Sequence, residues 1–431
     1  MDGKKVAFTT LGCKLNFAET STIARKFTEE GFQKVRFGEE ADIIVINTCS
    51  VTQKADHKCR QAIKKAVKSA PGAYIAVIGC YSQLKSEEIR GIKGVDLVLG
   101  TREKFSVLNY IGNLQKKEHA DVHSCGIREV TGFEPSYSVA DRTRAFLKVQ
   151  DGCDYQCTYC TIPLARGISR NPRVEEVLAN AEAIAAKGTK EIVITGVNVG
   201  DFGKSTGDRF IDLLKALEKV AGISRYRISS IEPNLLTFEI IDFVAGSVKF
   251  MPHFHIPLQS GCNEILRGMA RRYKREVFAA VTEKIKSAMP RACIGADVIT
   301  GFPGETDLYF GDTYQFIDKL PVSYLHVFSY SERNNTRAAA MEGKVNEETK
   351  ESRSRQLITL SESKRLQFYR ENLGRELEIL FESRAVQGMA LGFTPNYIKV
   401  ETPASPSLVN SLRKGVLQEI NSRGNVSVDL V

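Results

Sequence analysis

The sequence has no long apolar run. Its longest, such as Ile43-Ile44-Val45-Ile46, are strand-sized, far short of the roughly 20 residues a membrane-spanning helix needs, so no membrane association is expected. Nor does an apolar stretch follow Met1-Asp2-Gly3-Lys4-Lys5-Val6. Without a secretory signal, ten cysteines point to reduced, cytoplasmic thiols and not to a disulfide framework. Acidic charge is in deficit: the formal net charge of +9 favours an anionic partner. That excess is absent from residues 372–431, where basic and acidic side chains balance, so any nucleic-acid affinity there would need local patches and stacking. The rest is ordinary globular composition, 42% apolar and 26% charged, and a length that allows roughly two to four domains.

A fourth ligand is missing from the stretch richest in chemistry. Gly152-Cys153-Asp154-Tyr155-Gln156-Cys157-Thr158-Tyr159-Cys160 offers three thiolates just past the apolar segment Ala145-Phe146-Leu147-Lys148-Val149. A zinc knuckle closes with a fourth Cys or His, and the nearest downstream histidine is His253. A 4Fe-4S cluster usually takes four cysteines, so three leave one iron open to a ligand that is not protein.

Upstream, strands and helices alternate. Lys5 to Thr10 reads as a strand and Asn16 to Glu30 as a helix, with Asn16 as N-cap and Gly31 just past its end. Ala41 to Asn47, Ala73 to Ile78 and Val95 to Leu99 read as further strands, with a basic helix over Gln53 to Ser69. Strands separated by helices imply a parallel sheet. Cys13, Cys49 and Cys80 each follow one of these strands, at the edge where open α/β sheets hold ligands. One such cysteine is ordinarily a small buried hydrophobe; three in equivalent places imply a second iron–sulfur site. Cys59 reads as a buried helix-face thiol and His57 as solvated. Gln115 to Tyr137, with Gly126, Gly132 and Pro135, reads as a linker, and its Cys125 has no assigned role.

From Arg144 to Ser331 six strand–helix units follow, near Ala145–Val149, Glu191–Thr195, Tyr226–Ser230, Phe254–Leu258, Ile294–Ile299 and Tyr324–Tyr330. They imply a partial (β/α)6 barrel with its chemistry at the carboxyl ends of the strands. Cys262 and Cys293 read as packing residues. Arg267, Arg271, Arg272, Lys274 and Arg275 read as one basic helix, either a solvated face or a contact for RNA phosphates. A long charged helix over Asn346 to Glu371 connects to short strands at Glu376–Phe381, Tyr397–Glu401, Gly415–Ile420 and Val426–Leu430. Turn signals stand at Gly388, Gly392, Pro403, Pro406 and Gly424, a pattern that implies a small OB-like barrel. The expected division is 1–140, 141–371 and 372–431, an α/β chain ending in a β-barrel.

The Cys153–Cys157–Cys160 loop resembles that of the radical S-adenosylmethionine enzymes. The resemblance implies that the open iron chelates the methionine part of that cofactor, whose reductive cleavage releases a 5′-deoxyadenosyl radical, and that Tyr159 lies against the adenine. It further implies that Thr195-Gly196-Val197-Asn198 holds the cofactor's amino group and that Ser230 and Glu232 lie near its ribose and carboxylate. Gly301, in Asp297-Val298-Ile299-Thr300-Gly301-Phe302-Pro303-Gly304-Glu305, then lies near the adenine. Thr10-Leu11-Gly12-Cys13-Lys14-Leu15-Asn16, Asn47-Thr48-Cys49 and Val77-Ile78-Gly79-Cys80 are similar to the three N-terminal motifs of the methylthiotransferases, in which these cysteines hold an auxiliary 4Fe-4S cluster. Pro163 to Arg170 and His255-Ile256-Pro257-Leu258-Gln259-Ser260-Gly261 also match that family, the latter giving Gln259 as a cofactor contact.

The resemblance implies two 4Fe-4S clusters, S-adenosylmethionine, an external electron donor such as flavodoxin or ferredoxin, and a C-terminal TRAM domain that binds RNA. The residues around Cys13 resemble the branch acting on threonylcarbamoyladenosine in the tRNA anticodon stem-loop. The isopentenyladenosine branch usually has Gln after that cysteine, and the ribosomal-protein branch usually Pro. A non-catalytic, redox-sensing iron–sulfur RNA-binding protein is the alternative of a different class. The family's usual Pro-Gly pair is absent from Ser331-Glu332-Arg333-Asn334-Asn335-Thr336.

Overall fold

The computed structural model describes residues 3–139 and 142–431; the boundary expected at 140/141 lies outside the described residues. β1 (Lys5–Thr10), β2 (Gln33–Val35), β3 (Ile43–Thr48), β4 (Tyr74–Gly79), β5 (Leu97–Leu99) and β6 (Asp121–His123) form one parallel sheet. Its order is β2-β1-β3-β4-β5-β6. Every residue of β3 and β4 is buried, which is why they read as continuous apolar runs. Helices α1 (Lys14–Glu29) and α2 (Gln53–Ser69) cover the faces, α2 capped by the Thr52 side chain.

Two expectations change here. α1 starts at Lys14, and Asn16 is no cap but a buried residue of the first turn. Its Nδ2 donates to the carbonyl oxygens of Leu11 (2.8 Å) and Thr48 (3.0 Å), tying α1 to the ends of β1 and β3. The expected linker is also partly ordered. It contributes β6 as an edge strand, and just before it Lys116 Nζ and the Lys117 N–H reach Asp96 at 2.6 and 2.9 Å. A three-residue edge strand is too short to raise a periodic signal above its polar surroundings.

β8 (Arg144–Lys148), β9 (Glu191–Thr195) and β10 (Arg225–Ile228) form a parallel set, with β7 (Ser136–Tyr137) antiparallel on β8. β11 (His253–Gln259), β12 (Cys293–Thr300) and β13 (Tyr324–Ser329) form a second parallel set. Single bridges at Tyr226–Phe250 and Ser230–His255 join the two sets into an open barrel of six parallel strands. The apolar core lies between these strands and the surrounding helices, with Phe254, Ile256, Leu258, Ile294, Ala296 and Val298 among its members. Strand alternation therefore turns His255, Gln259 and Asp297 to the lumen.

The long helix Glu347–Arg370 is capped by Asn346, whose Oδ1 accepts from the Thr349 N–H at 2.8 Å. After it, β14 (Glu376–Val386), β15 (Met389–Phe393), β16 (Lys399–Pro403), β17 (Leu412–Ile420) and β18 (Val426–Leu430) close a barrel in the order β14-β15-β16-β18-β17. β15 runs through Gly392, which is no turn residue: a Cβ there would meet Ile379 Cγ2 at 2.6 Å, so glycine permits close strand approach. This barrel docks on the central one. Arg227 donates to the carbonyl oxygens of Pro395 and Thr394, both at 2.8 Å, and Tyr397 stacks on His253 at 4.1 Å. No helix among the described residues is long and apolar enough to cross a membrane.

Candidate functional site

The loop after β8 carries Cys153, Cys157 and Cys160, and each sulfur receives a hydrogen bond. The Tyr155 N–H donates to Cys153 Sγ and the Ile162 N–H to Cys160 Sγ, both at 3.4 Å, and Arg271 Nη1 donates to Cys157 Sγ at 3.1 Å. Burial pushes the Cys153 and Cys160 thiols up to about 12. Left alone they stay protonated; a bound metal centre supplies the positive charge that ionises them. Three thiols with donors already on sulfur, and no disulfide, fit a cluster held by three cysteines.

Arg271 is reassigned by this geometry. It lies between the helices Asn263–Gly268 and Arg275–Ala288 and not on one basic helix. Its side chain is 3% exposed and pairs with Glu232, so it faces the cysteine loop and is withdrawn from the phosphate-contacting set. Burial pushes the Glu232 carboxyl up against the pull of Arg271. Arg267 and Arg272 are exposed and Arg275 is half-buried; Arg272 donates to the Asp154 carbonyl oxygen at 2.9 Å and lies over the Tyr155 ring.

The other expected cofactor residues ring this loop at the strand ends. Tyr159 packs edge-on against Phe302, just past β12, with ring centres 6.3 Å apart. Gly196 and Asn198 follow β9, Ser230 and Glu232 follow β10, Gln259 ends β11 at φ 65°, and Gly301 follows β12 at φ 73°. Asn198 is the informative member. Its N–H donates to Gln150 Oε1 at 2.8 Å and its Nδ2 to Asp201 at 2.9 Å, while its buried Oδ1 accepts no hydrogen bond among the described residues. A buried acceptor without a donor is costly, and the ammonium of an amino-acid cofactor would satisfy it.

Cys13, Cys49 and Cys80 follow β1, β3 and β4, which are neighbours in the sheet. Their convergence needs glycine at position 12: with φ +111°, a Cβ there would stand 2.6 Å from Cys49 Cβ. Burial pushes the Cys49 thiol up to about 12, and the nearby Cys80 and Cys13 add to it. Cys59 is buried as expected, and its thiol donates to the Cys49 carbonyl oxygen at 3.3 Å. His57 is exposed, and Cys262 and Cys293 are buried.

The contacts that join the two cysteine sets had no signal in the sequence. The segment Ser331–Thr336 docks on the start of α2: Arg333 donates to Ser50 Oγ at 2.8 Å and pairs with Asp56 at 2.9 Å. Deeper, Glu19 of α1 is fully buried and meets Lys104 (2.6 Å), Arg166 (3.0 Å) and Lys148 (3.3 Å). Arg166 also reaches Asp151 at 2.8 Å and Asn16 Oδ1 at 2.6 Å. Burial alone would raise the Glu19 carboxyl, but Arg166, Lys104 and Lys148 lower it to about 2.

In the lumen, His255 Nε2 lies 2.8 Å and His326 Nδ1 3.3 Å from Asp297 Oδ1. Burial would raise the Asp297 carboxyl, but these imidazoles hold it well below the usual carboxylate range. Period-two alternation along β11, β12 and β13 was the available signal for this group.

Two family models match the chain. The Uncharacterized protein family UPF0004 matches residues 5–100 and the Radical SAM superfamily residues 147–317. The chain is 41% identical to the threonylcarbamoyladenosine tRNA methylthiotransferase MtaB of Bacillus subtilis (strain 168), over 95% of this chain and 92% of that protein. It is 38% identical to the protein of the same name from Aquifex aeolicus (strain VF5), over 92% and 96%. Among solved structures, the radical S-adenosylmethionine methyltransferase TsrM from Kitasatospora setae superposes with a TM-score of 0.58 at 13% identity, covering 78% of this chain and 77% of that one. This last likeness speaks for the fold alone.

Proposed function

Because the chain belongs to the MtaB-type methylthiotransferases of the radical S-adenosylmethionine superfamily, we propose that it converts threonylcarbamoyladenosine beside the tRNA anticodon to its 2-methylthio derivative, using two 4Fe-4S clusters. Radical S-adenosylmethionine chemistry and transfer of a sulfur-containing group come with the family. The observation that carries the two-cluster reading is the contact between the cysteine sets: the Thr161 hydroxyl, next to Cys160, hydrogen-bonds the carbonyl oxygen of Ser50, next to Cys49. This contact supports the delivery of sulfur from one set to a substrate activated at the other.

Cys153, Cys157 and Cys160 hold the cluster that binds S-adenosylmethionine, and Cys13, Cys49 and Cys80 hold the auxiliary one. The bound cofactor supplies the carbon radical that activates the substrate. Asn198 takes the cofactor's ammonium on its free Oδ1, and Tyr159, Gly196, Ser230, Glu232, Gln259 and Gly301 line the rest of its site. Arg271 holds Glu232 in place and donates to Cys157. Arg267, Arg272 and Arg275 at the mouth meet RNA phosphates, with residues 372–431 as the TRAM-like unit after the 1–140 and 141–371 units. An external one-electron donor completes the system, which works in the cytoplasm.

The test is mass spectrometry of tRNA nucleosides from cells with and without the gene. The 2-methylthio derivative of threonylcarbamoyladenosine should disappear on deletion and its unmethylthiolated precursor accumulate. Loss of the isopentenyladenosine derivative instead would reassign the substrate.

A further inference from the structure

A charged set in the central lumen remains unused by the roles above. Asp297 is held by His255 and His326, both on Oδ1, and among the described residues its Oδ2 has no hydrogen-bond partner. His326 is 55% exposed, so the group faces open space. Lys14, which adjoins Cys13, is exposed to solvent and within electrostatic reach of Asp297, Arg144 and Arg227. Its ammonium makes no hydrogen bond or ion pair among the described residues.

A cation next to Cys13 without a partner and a carboxylate with one free oxygen thus act on each other electrostatically, in a region that the exposed His326 leaves open. A base entering it displaces water, and charges left unpaired by that displacement weaken binding. The space therefore suits a ligand that brings one anion together with hydrogen-bond donors. The donor atoms of His255, Asp297 and His326 lie within 4.8 Å of one another, a spacing a metal ion accepts, but the Lys14 charge opposes a dication there.

We propose that Lys14 and Asp297 recognise the substituent on the adenine N6 of the substrate. Lys14 takes the threonyl carboxylate; Asp297 Oδ2 accepts from a ureido N–H or the threonyl hydroxyl; His255 and His326 orient Asp297. This rests on the substrate reading given above. The substituent is threonine joined through a carbonyl to the base, so it carries one carboxylate, one hydroxyl and ureido N–H groups. An apolar substituent leaves both protein charges unpaired, and sites built on polar contacts reject such analogues strongly.

The test compares three anticodon stem-loop RNAs by equilibrium binding to the iron-reconstituted full chain: one with threonylcarbamoyladenosine, one with its carboxyl methyl ester, one with plain adenosine. The free acid should bind about ten- to hundredfold tighter than the ester, the range for a hydrogen bond to a charged group. Lys14→Met should bring that ratio close to one, and Lys14→Arg should keep most of it. The ratio is internal to each variant, so a general loss of folded protein does not imitate the effect. Equal wild-type affinity for acid and ester, or an unchanged ratio in Lys14→Met, overturns the proposal. If neither modified RNA binds better than the plain one, the substrate reading has failed first.

Discussion

Thr161 Oγ1 donates to the carbonyl oxygen of Ser50 at 3.2 Å, and Arg333 Nη2 reaches the same oxygen at the same distance. Cys160 precedes Thr161 and Cys49 precedes Ser50, so one carbonyl beside the first cysteine set accepts from the segment bearing the second and from Arg333. Arg333 also neutralises Asp56 in this seam. Removing Arg333 leaves the buried Asp56 carboxylate with Lys85, 3.9 Å away, as its remaining cation, so the cost falls toward the lower end of the about 3–5 kcal/mol of a broken buried pair. Arg333→Met should lower stability in urea unfolding by roughly that amount. A change below about 0.5 kcal/mol, the range of ordinary surface substitutions, would mean the seam is not energetically significant.

Glu19 sets an acid limit on the fold. Its carboxyl sits at about 2 in the folded chain against an ordinary value of 4.5. A depressed folded value contributes stability that is present above the unfolded value and is lost as pH falls through the folded one. Stability should therefore decline between about pH 4.5 and pH 2, and Glu19→Gln, already destabilised at pH 7, should show a shallower decline over that window. Urea midpoints measured across the range check this; parallel curves would place the acid sensitivity elsewhere.

Two cysteine triads require about eight irons per chain after anaerobic reconstitution. Cys13→Ala, Cys49→Ala and Cys80→Ala combined should leave about four, on the four-iron stoichiometry of one cluster. The same chain should still cleave S-adenosylmethionine to 5′-deoxyadenosine, whereas Cys157→Ala should not. Iron analysis and nucleoside chromatography report both, and full iron retention in the triple variant would misplace the second site.

Asn198→Ala removes the acceptor proposed for the cofactor's ammonium. A hydrogen bond to a charged partner is worth about 1.5–3 kcal/mol, so S-adenosylmethionine affinity should fall by roughly ten- to a hundredfold. Iron content should not change, because the hydrogen bonds of Asn198 go to Gln150 and Asp201 and to no cysteine among the described residues. Isothermal titration of the reconstituted protein would show it, and unaltered affinity would leave the bare Oδ1 unexplained.

The exposed Arg267 and Arg272 are expected at RNA phosphates. Replacing both with Ala should weaken tRNA binding for any sequence and reduce the salt slope by roughly 0.7 to 0.9 per charge. Binding measured over a salt series tests this. An unchanged slope would return them to a solvated surface.

The placement of the cysteines just past their strands, the parallel N-terminal sheet and the six barrel strands were legible in the chain because each rests on local order. Thiol spacing, strand-length apolar runs and turn residues are all set within a few positions. Arg271 shows the limit of such reading: its basic neighbours suggested a solvated face, yet the turn between two helices swings it onto Cys157 and Glu232. Gly392 looked like a turn and is a strand residue, because the need for glycine came from Ile379 on the neighbouring strand. Glu19 and Arg166 carry no mark in sequence of being partners; a buried charge is tolerable only where folding brings its counter-charges from distant segments. The chemistry each segment can perform thus follows from its own residues, while the juxtaposition of the two thiol sets, and of Lys14 with Asp297, exists only once the sheet, the barrel and their buried ion pairs have closed together.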